Sequence, residues 1–122
     1  MRFLCVYKPS CVEGAPHTPE EMAKMGAFME ESFKSGILLA AEGCMPSVFG
    51  ARVCLAEGSF AVIDGPFTEA KELVGGMAII NAASKQEAIE YTKRFLNVAG
   101  DGVTEIRQLH DVSALDTVNN AA

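Results

Sequence analysis

Met77-Ala78-Ile79-Ile80-Asn81-Ala82-Ala83-Ser84-Lys85-Gln86-Glu87 decides the fold, because an apolar strand runs straight into a helix start. Ser84 stands as N-cap with Glu87 three residues on, the spacing of a capping box, and Ala88, Tyr91, Thr92, Phe95 and Leu96 follow along the helix. The same grammar stands at the beginning of the chain. Arg2 to Tyr7 is apolar on both alternating faces, with Phe3, Cys5 and Tyr7 on one side and Leu4 and Val6 on the other. Thr18-Pro19-Glu20-Glu21 then combines an N-cap threonine, a proline at the first helical position and a capping-box glutamate. Met22, Met25, Met29 and Phe33 draw one apolar stripe expected to face the core, and Gly36 stops the helix.

Outward from these two units, Ile37 to Ala41 reads as a strand. Arg52 to Glu57 and Phe60 to Ile63, joined by Gly58-Ser59, read as a hairpin. Val103 to Leu109 alternates, with Thr104, Ile106 and Gln108 on one face and Glu105 and Arg107 on the other. The order β-α-β, hairpin, β-α-β predicts an α+β sandwich with two helices on one face of an antiparallel sheet. Two helices cover only one face, and several strands are apolar on both. A homodimer packed sheet to sheet is therefore expected. Residues 1–112 form the single domain in this reading, and 113–122 a flexible tail.

The 122 residues are 49% hydrophobic and 21% charged, an ordinary composition for one compact soluble domain. Ten Lys and Arg against 16 Asp and Glu give a net charge of −6, which disfavours nucleic acid as a partner. The apolar run at Phe3 to Tyr7 is too short for a signal peptide or a membrane span, so a cytoplasmic location is expected. Cys5, Cys11, Cys44 and Cys54 show no paired spacing and read as reduced core thiols, and only His17 and His110 offer imidazole, so no metal is expected. His110 and Asp111 are chain neighbours whose side chains diverge, and they form no dyad. Without a Walker loop, a GxGxxG, a GxSxG or an HExxH, no cofactor is expected either.

Chemistry concentrates where Asp64-Gly65-Pro66-Phe67 ends an apolar strand and Thr68-Glu69-Ala70-Lys71-Glu72 follows. Taken alone, this stretch is read as an Asx-turn with a rigid corner and solvated charges. Val62 to Gly76 nevertheless resembles the signature of the DGPF branch of the YCII-related family, named for that tetrapeptide. Gly36 to Gly43 is similar to the family's second strand, Ala88-Ile89-Glu90 to its second helix and Glu105 to Gln108 to its last strand, so the likeness covers residues 1 to about 112.

The resemblance implies a ferredoxin-like α+β sandwich that dimerises into an α/β barrel, with a cleft between helices and sheet. It also implies small-molecule chemistry, since relatives use a histidine and aspartate pair and the wider superfamily holds lyases, isomerases and oxygenases. The family motif falls here on Glu42, Asp64, Gly65, Pro66, Phe67, Glu69, Lys71 and Glu72, while Ala70 and Met77 depart from it. Asp64, at a strand end facing an apolar cleft, is then the leading general acid or base, with His17 the second candidate. Glu42 and Glu69 orient Asp64 or share its proton, and Lys71 holds an anionic substrate group or pairs with Asp64. Tyr7 and Phe67 supply the apolar wall. Two functions follow: a cofactor-free enzyme doing elimination or isomerisation on a small metabolite, or a non-catalytic ligand-binding or regulatory module associated with a sigma factor.

Overall fold

Both helices begin where their capping residues place them. In the computed structural model, which describes residues 1–69 and 73–111, α1 spans Pro19–Ser35 and α2 spans Lys85–Ala99. Glu21 N donates to Thr18 Oγ1 at 3.1 Å and Thr18 N donates to Glu21 Oε1 at 3.4 Å, closing the capping box. Gly36 takes the left-handed conformation at φ 84°, which ends α1. Residues 113–122, expected as a tail, lie outside the described residues.

The strands are β1 (Arg2–Pro9), β2 (Leu38–Gly43), β3 (Ala51–Ala56), β4 (Ser59–Asp64), β5 (Gly76–Asn81) and β6 (Gly102–Gln108). Four of them form one antiparallel sheet in the order β2-β5-β1-β6, the strand arrangement of a ferredoxin-like fold. The register sets Ala78 and Ile106 on either side of Cys5, and Ile80 and Gln108 on either side of Phe3. That face meets the helices: Phe3, Cys5, Leu38 and Ile80 are buried together with Phe28, Ala88 and Tyr91.

The buried line of α1 differs from the expected stripe. Met22 and Phe33 are exposed, and the helix instead presents Met25, Phe28, Met29 and Ser32. Ser32 is tolerated in the core because both of its hydrogen-bonding roles are used: its hydroxyl donates to Phe28 O at 2.7 Å and accepts from Tyr91 Oη at 2.8 Å.

β3 and β4 pair only with each other, as a separate two-stranded sheet. The turn falls one residue earlier than expected, at Glu57 and Gly58, both with positive φ as a tight hairpin turn requires. Val53, Leu55, Phe60, Val62 and Ile63 are all exposed on it. Cys54 is exposed for the same reason, and so are Cys11 and Cys44, so Cys5 alone of the four free thiols is a core thiol.

The hairpin returns to the body through the Asp64-Gly65-Pro66-Phe67 turn, and the contacts there are structural. Gly65 N donates to Gly50 O at 3.0 Å, and Phe67 N donates to Ser47 Oγ at 2.9 Å. Ser47 N and Oγ in turn donate to the two oxygens of Glu13, each at 2.7 Å. The Phe67 ring lies under the Arg52 guanidinium, 3.8 Å from the ring centre. No side chain fits at Gly65, since a Cβ there would overlap the Ser47 carbonyl.

Two glycine substitutions separate packing from propensity. Gly26→Ala, inside α1 with nothing within 4 Å of the new methyl, is expected to raise stability by about 0.5–1 kcal/mol. Gly65→Ala is expected to lower it by about 1–3 kcal/mol through overpacking. Urea unfolding of both variants checks the pair, and equal effects would refute the account of the turn.

Candidate functional site

A cavity of about 380 Å³ lies between the helices and the sheet. Its floor is the inner sheet face around Cys5, Ala78, Ile80 and Thr104, and Met25, Met29 and Phe95 form its apolar sides. The Tyr7 ring meets the Phe95 ring edge to face, with centroids 5.2 Å apart at 86°. Tyr7 Oη donates to Gly100 O at 3.3 Å and Asp101 O at 3.4 Å. Burial, and after it the negative fields of Cys11 and Asp101, push the Tyr7 phenol above its ordinary pKa. Tyr7 is thus neutral at pH 7 and forms part of the cavity wall. Burial likewise pushes up the Cys5 thiol against a smaller opposing hydrogen bond from Thr92, which leaves Cys5 a poor nucleophile.

His17 and Glu21 stand at the rim of this cavity, with side chains 63% and 55% exposed. His17 Nδ1 lies 3.4 Å from Glu21 Oε2. Hydrogen bonding to His17 first, and then to the Thr18 backbone and hydroxyl, holds the Glu21 carboxyl below its ordinary pKa, so it is ionised and accepting at neutral pH. When Nδ1 donates to that carboxylate, Nε2 is the ring nitrogen left for another partner. Glu21 therefore serves two partners, capping α1 through Oε1 and orienting His17 through Oε2. The spacing of His17 and Glu21, four residues apart across a helix start, carried this signal in the sequence, but Glu21 was read there only as a cap.

The other expected site residues are dispersed. Glu42 borders the cavity rim, yet its register opposite Met77, and through Met77 opposite Val6, sets its side chain on the outer sheet face. Asp64 is exposed at the end of β4, opposite Ala51, and lines neither this cavity nor the second one of about 130 Å³ near Cys11 and Cys44. Its strand belongs to the separate hairpin, so the strand end does not face the cleft in which a catalytic Asp64 was expected. Phe67 is half-buried against Arg52 and Glu69 is exposed, and neither lines either cavity. Lys71 lies outside the described residues. Among the described residues no group of three or more His, Cys, Asp or Glu is placed to hold a metal ion, and no helix is long and apolar enough to cross a membrane.

Comparison with known proteins shows what this chain is similar to. The YCII-related domain matches residues 1–113. An uncharacterized protein of Rhizobium meliloti (strain 1021) is 29% identical over 89 residues, 72% of either chain. Among solved structures, 5-chloro-2-hydroxyhydroquinone dehydrochlorinase from Burkholderia phenoliruptrix AC1100, in complex with 2,5-dihydroxybenzoquinone, is similar over 93% of this chain and 98% of its own, at 16% identity and a TM-score of 0.49.

The lowered pKa of Glu21 fixes the sign of one pH effect. Glu21 contributes stability above its unfolded pKa and loses that contribution as pH falls through the lowered folded value. Glu21→Gln keeps a cap acceptor but not the charge. Wild type is expected to be the more stable at pH 7, and urea unfolding across pH 7 to 3 should show the difference closing toward the acid end; a gap independent of pH would refute it.

Proposed function

The chain belongs to the YCII-related family, and on that premise we propose that it is a small enzyme whose helix–sheet cavity carries out cofactor-free acid/base chemistry on a small molecule. The observation that supports this reading is the His17–Glu21 pair at the rim of an otherwise apolar cavity. His17 Nε2 takes a proton from a substrate seated in the cavity and returns it to another atom of the same molecule or to its leaving group, as isomerisation and elimination require. Glu21 orients the ring and stabilises the imidazolium between the two steps. Tyr7 and Phe95 keep water from the apolar part of the substrate. In this reading the acid/base role assigned in sequence to Asp64 passes to His17, and the Asp64-Gly65-Pro66-Phe67 signature, which supports placement in the DGPF branch, anchors the hairpin.

The same reading includes a homodimer forming an α/β barrel. Leu4, Val6, Met77 and Ile79 share the sheet face that the helices leave uncovered. The hairpin adds five large exposed apolar side chains, Val53, Leu55, Phe60, Val62 and Ile63. A lone two-stranded hairpin is marginal in water, and so much apolar surface marks an interface. A second copy supplies the matching apolar surface.

Three experiments test these statements. A thermal-shift screen against several hundred metabolites identifies ligands, since about 100 times the dissociation constant stabilises by about 2.7 kcal/mol. For a ligand that is turned over, His17→Gln is expected to cut kcat by about 10²–10⁴ while binding persists, and Asp64→Asn to leave kcat within a few-fold. Full turnover by His17→Gln would overturn the role. In sedimentation the protein is expected to run as a dimer at micromolar concentration and Phe60→Asp as a monomer; a folded wild-type monomer would refute the barrel.

A further inference from the structure

The charges around the cavity restrict what can enter it. Among the described residues its lining includes the Glu21 carboxylate at the rim and neither lysine nor arginine, while Glu42 borders it with its side chain on the outer sheet face. The one imidazole, that of His17, is already paired with Glu21. An anion buried here gives up its hydration and meets no cation, an unfavourable exchange that a neutral molecule avoids.

One polar atom of the lining is without a partner. Thr104 Oγ1 is buried and makes no hydrogen bond, although the residue lines the cavity. The register puts Thr104 directly opposite Tyr7, two residues from Ile106 on the helix-facing side of β6. A buried hydroxyl without a partner is unfavourable in the free protein, and such groups call for a functional explanation. Hydroxyl and methyl branch from the same Cβ, so a step of about 120° in χ1 carries the oxygen into the methyl's place, the methyl into the hydrogen's, and presents the oxygen to a bound molecule. The rest of that end of the cavity is already satisfied: Thr92 Oγ1 donates to Ala88 O at 2.8 Å, and Tyr7 Oη donates to the end of α2.

We propose that the cavity selects an uncharged, largely apolar molecule bearing one hydroxyl or carbonyl group, and that the Thr104 hydroxyl is the hydrogen-bond partner of that group. The inference rests on the reading of this cavity as the ligand site. It assigns Thr104 to specificity, at the floor of the cavity, and leaves proton transfer to His17 at the rim.

Three probes of one ring system test it on the full chain: 2-naphthol, naphthalene and 2-naphthoate, titrated by calorimetry at pH 7. The naphthol is expected to bind about tenfold more tightly than naphthalene, and the naphthoate not to bind measurably. Thr104→Val, equal in shape but without the hydroxyl, is expected to lose about tenfold in naphthol affinity, to leave naphthalene unchanged, and to melt no lower than wild type when free. Thr104→Ser restores naphthol binding. Naphthoate binding as tight as naphthol, unchanged naphthol affinity in Thr104→Val, or a lowered melting temperature of free Thr104→Val would each overturn the inference. Silence of all three probes overturns it too, while the acid/base reading is decided separately by the turnover of His17→Gln.

Discussion

The contact between Ser32 and Tyr91 sets the geometry of everything above the sheet. A hydroxyl from each helix meets at 2.8 Å in a buried position, with the Ser32 hydroxyl also donating to Phe28 O, so the helices are held together there by bonds that water cannot replace. The Phe28 ring fills the space beside this junction, 5.4 Å from Tyr91 and 6.3 Å from Phe95. Toward the N-terminus of α1 and the C-terminus of α2 no such junction recurs. The side chains there are Met25 and Val98, and they line the cavity instead of filling it. The cavity lies toward the end of the helix pair where His17 stands.

That arrangement explains how the His17–Glu21 pair coexists with a stable helix start. The first turn of a helix leaves its N–H groups without partners and favours negative charge, both of which Glu21 supplies. Since the same carboxylate orients His17, the imidazole is positioned by an element that forms for local reasons. The cavity itself needs only apolar bulk from residues already committed to the sheet and helices. The His17–Glu21 pair thus sits at the edge of a conventional core.

The legible parts of the fold were those fixed by local chemistry. Thr18 and Ser84 announced both helices through their own hydrogen bonds, and the alternation in Val103 to Leu109 gave the faces of β6 correctly. Ser32 was invisible because no spacing rule anticipates a serine whose hydroxyl is satisfied by a tyrosine 59 residues away. The hairpin was legible as a hairpin, yet pairing between strands does not reveal whether a pair joins the main sheet. That gap is why Cys54 and Asp64 were placed near a core. The stretch from Asp64 to Phe67 drew attention for its density of polar groups, whereas its backbone is spent on Ser47 and Gly50. Of the residues singled out in the sequence, His17, Tyr7 and Glu42 border the cavity, and Glu21, which also borders it, was read only as a cap.

Gly43 and Gly76 face each other in the register of β2 and β5, so the excursion carrying β3 and β4 leaves the main sheet and re-enters it at adjacent points. For the four-stranded core that whole excursion is one closed loop between neighbouring strands. Loop closure grows only logarithmically with length, by about 0.6 kcal/mol for each doubling. The bonds from Ser47 to Glu13 and Phe67 divide the loop further, pinning it near both of its ends. The excursion can therefore lengthen or shorten at small cost to the register of the strands it interrupts, which leaves the four-stranded core independent of the length of the segment that carries the hairpin.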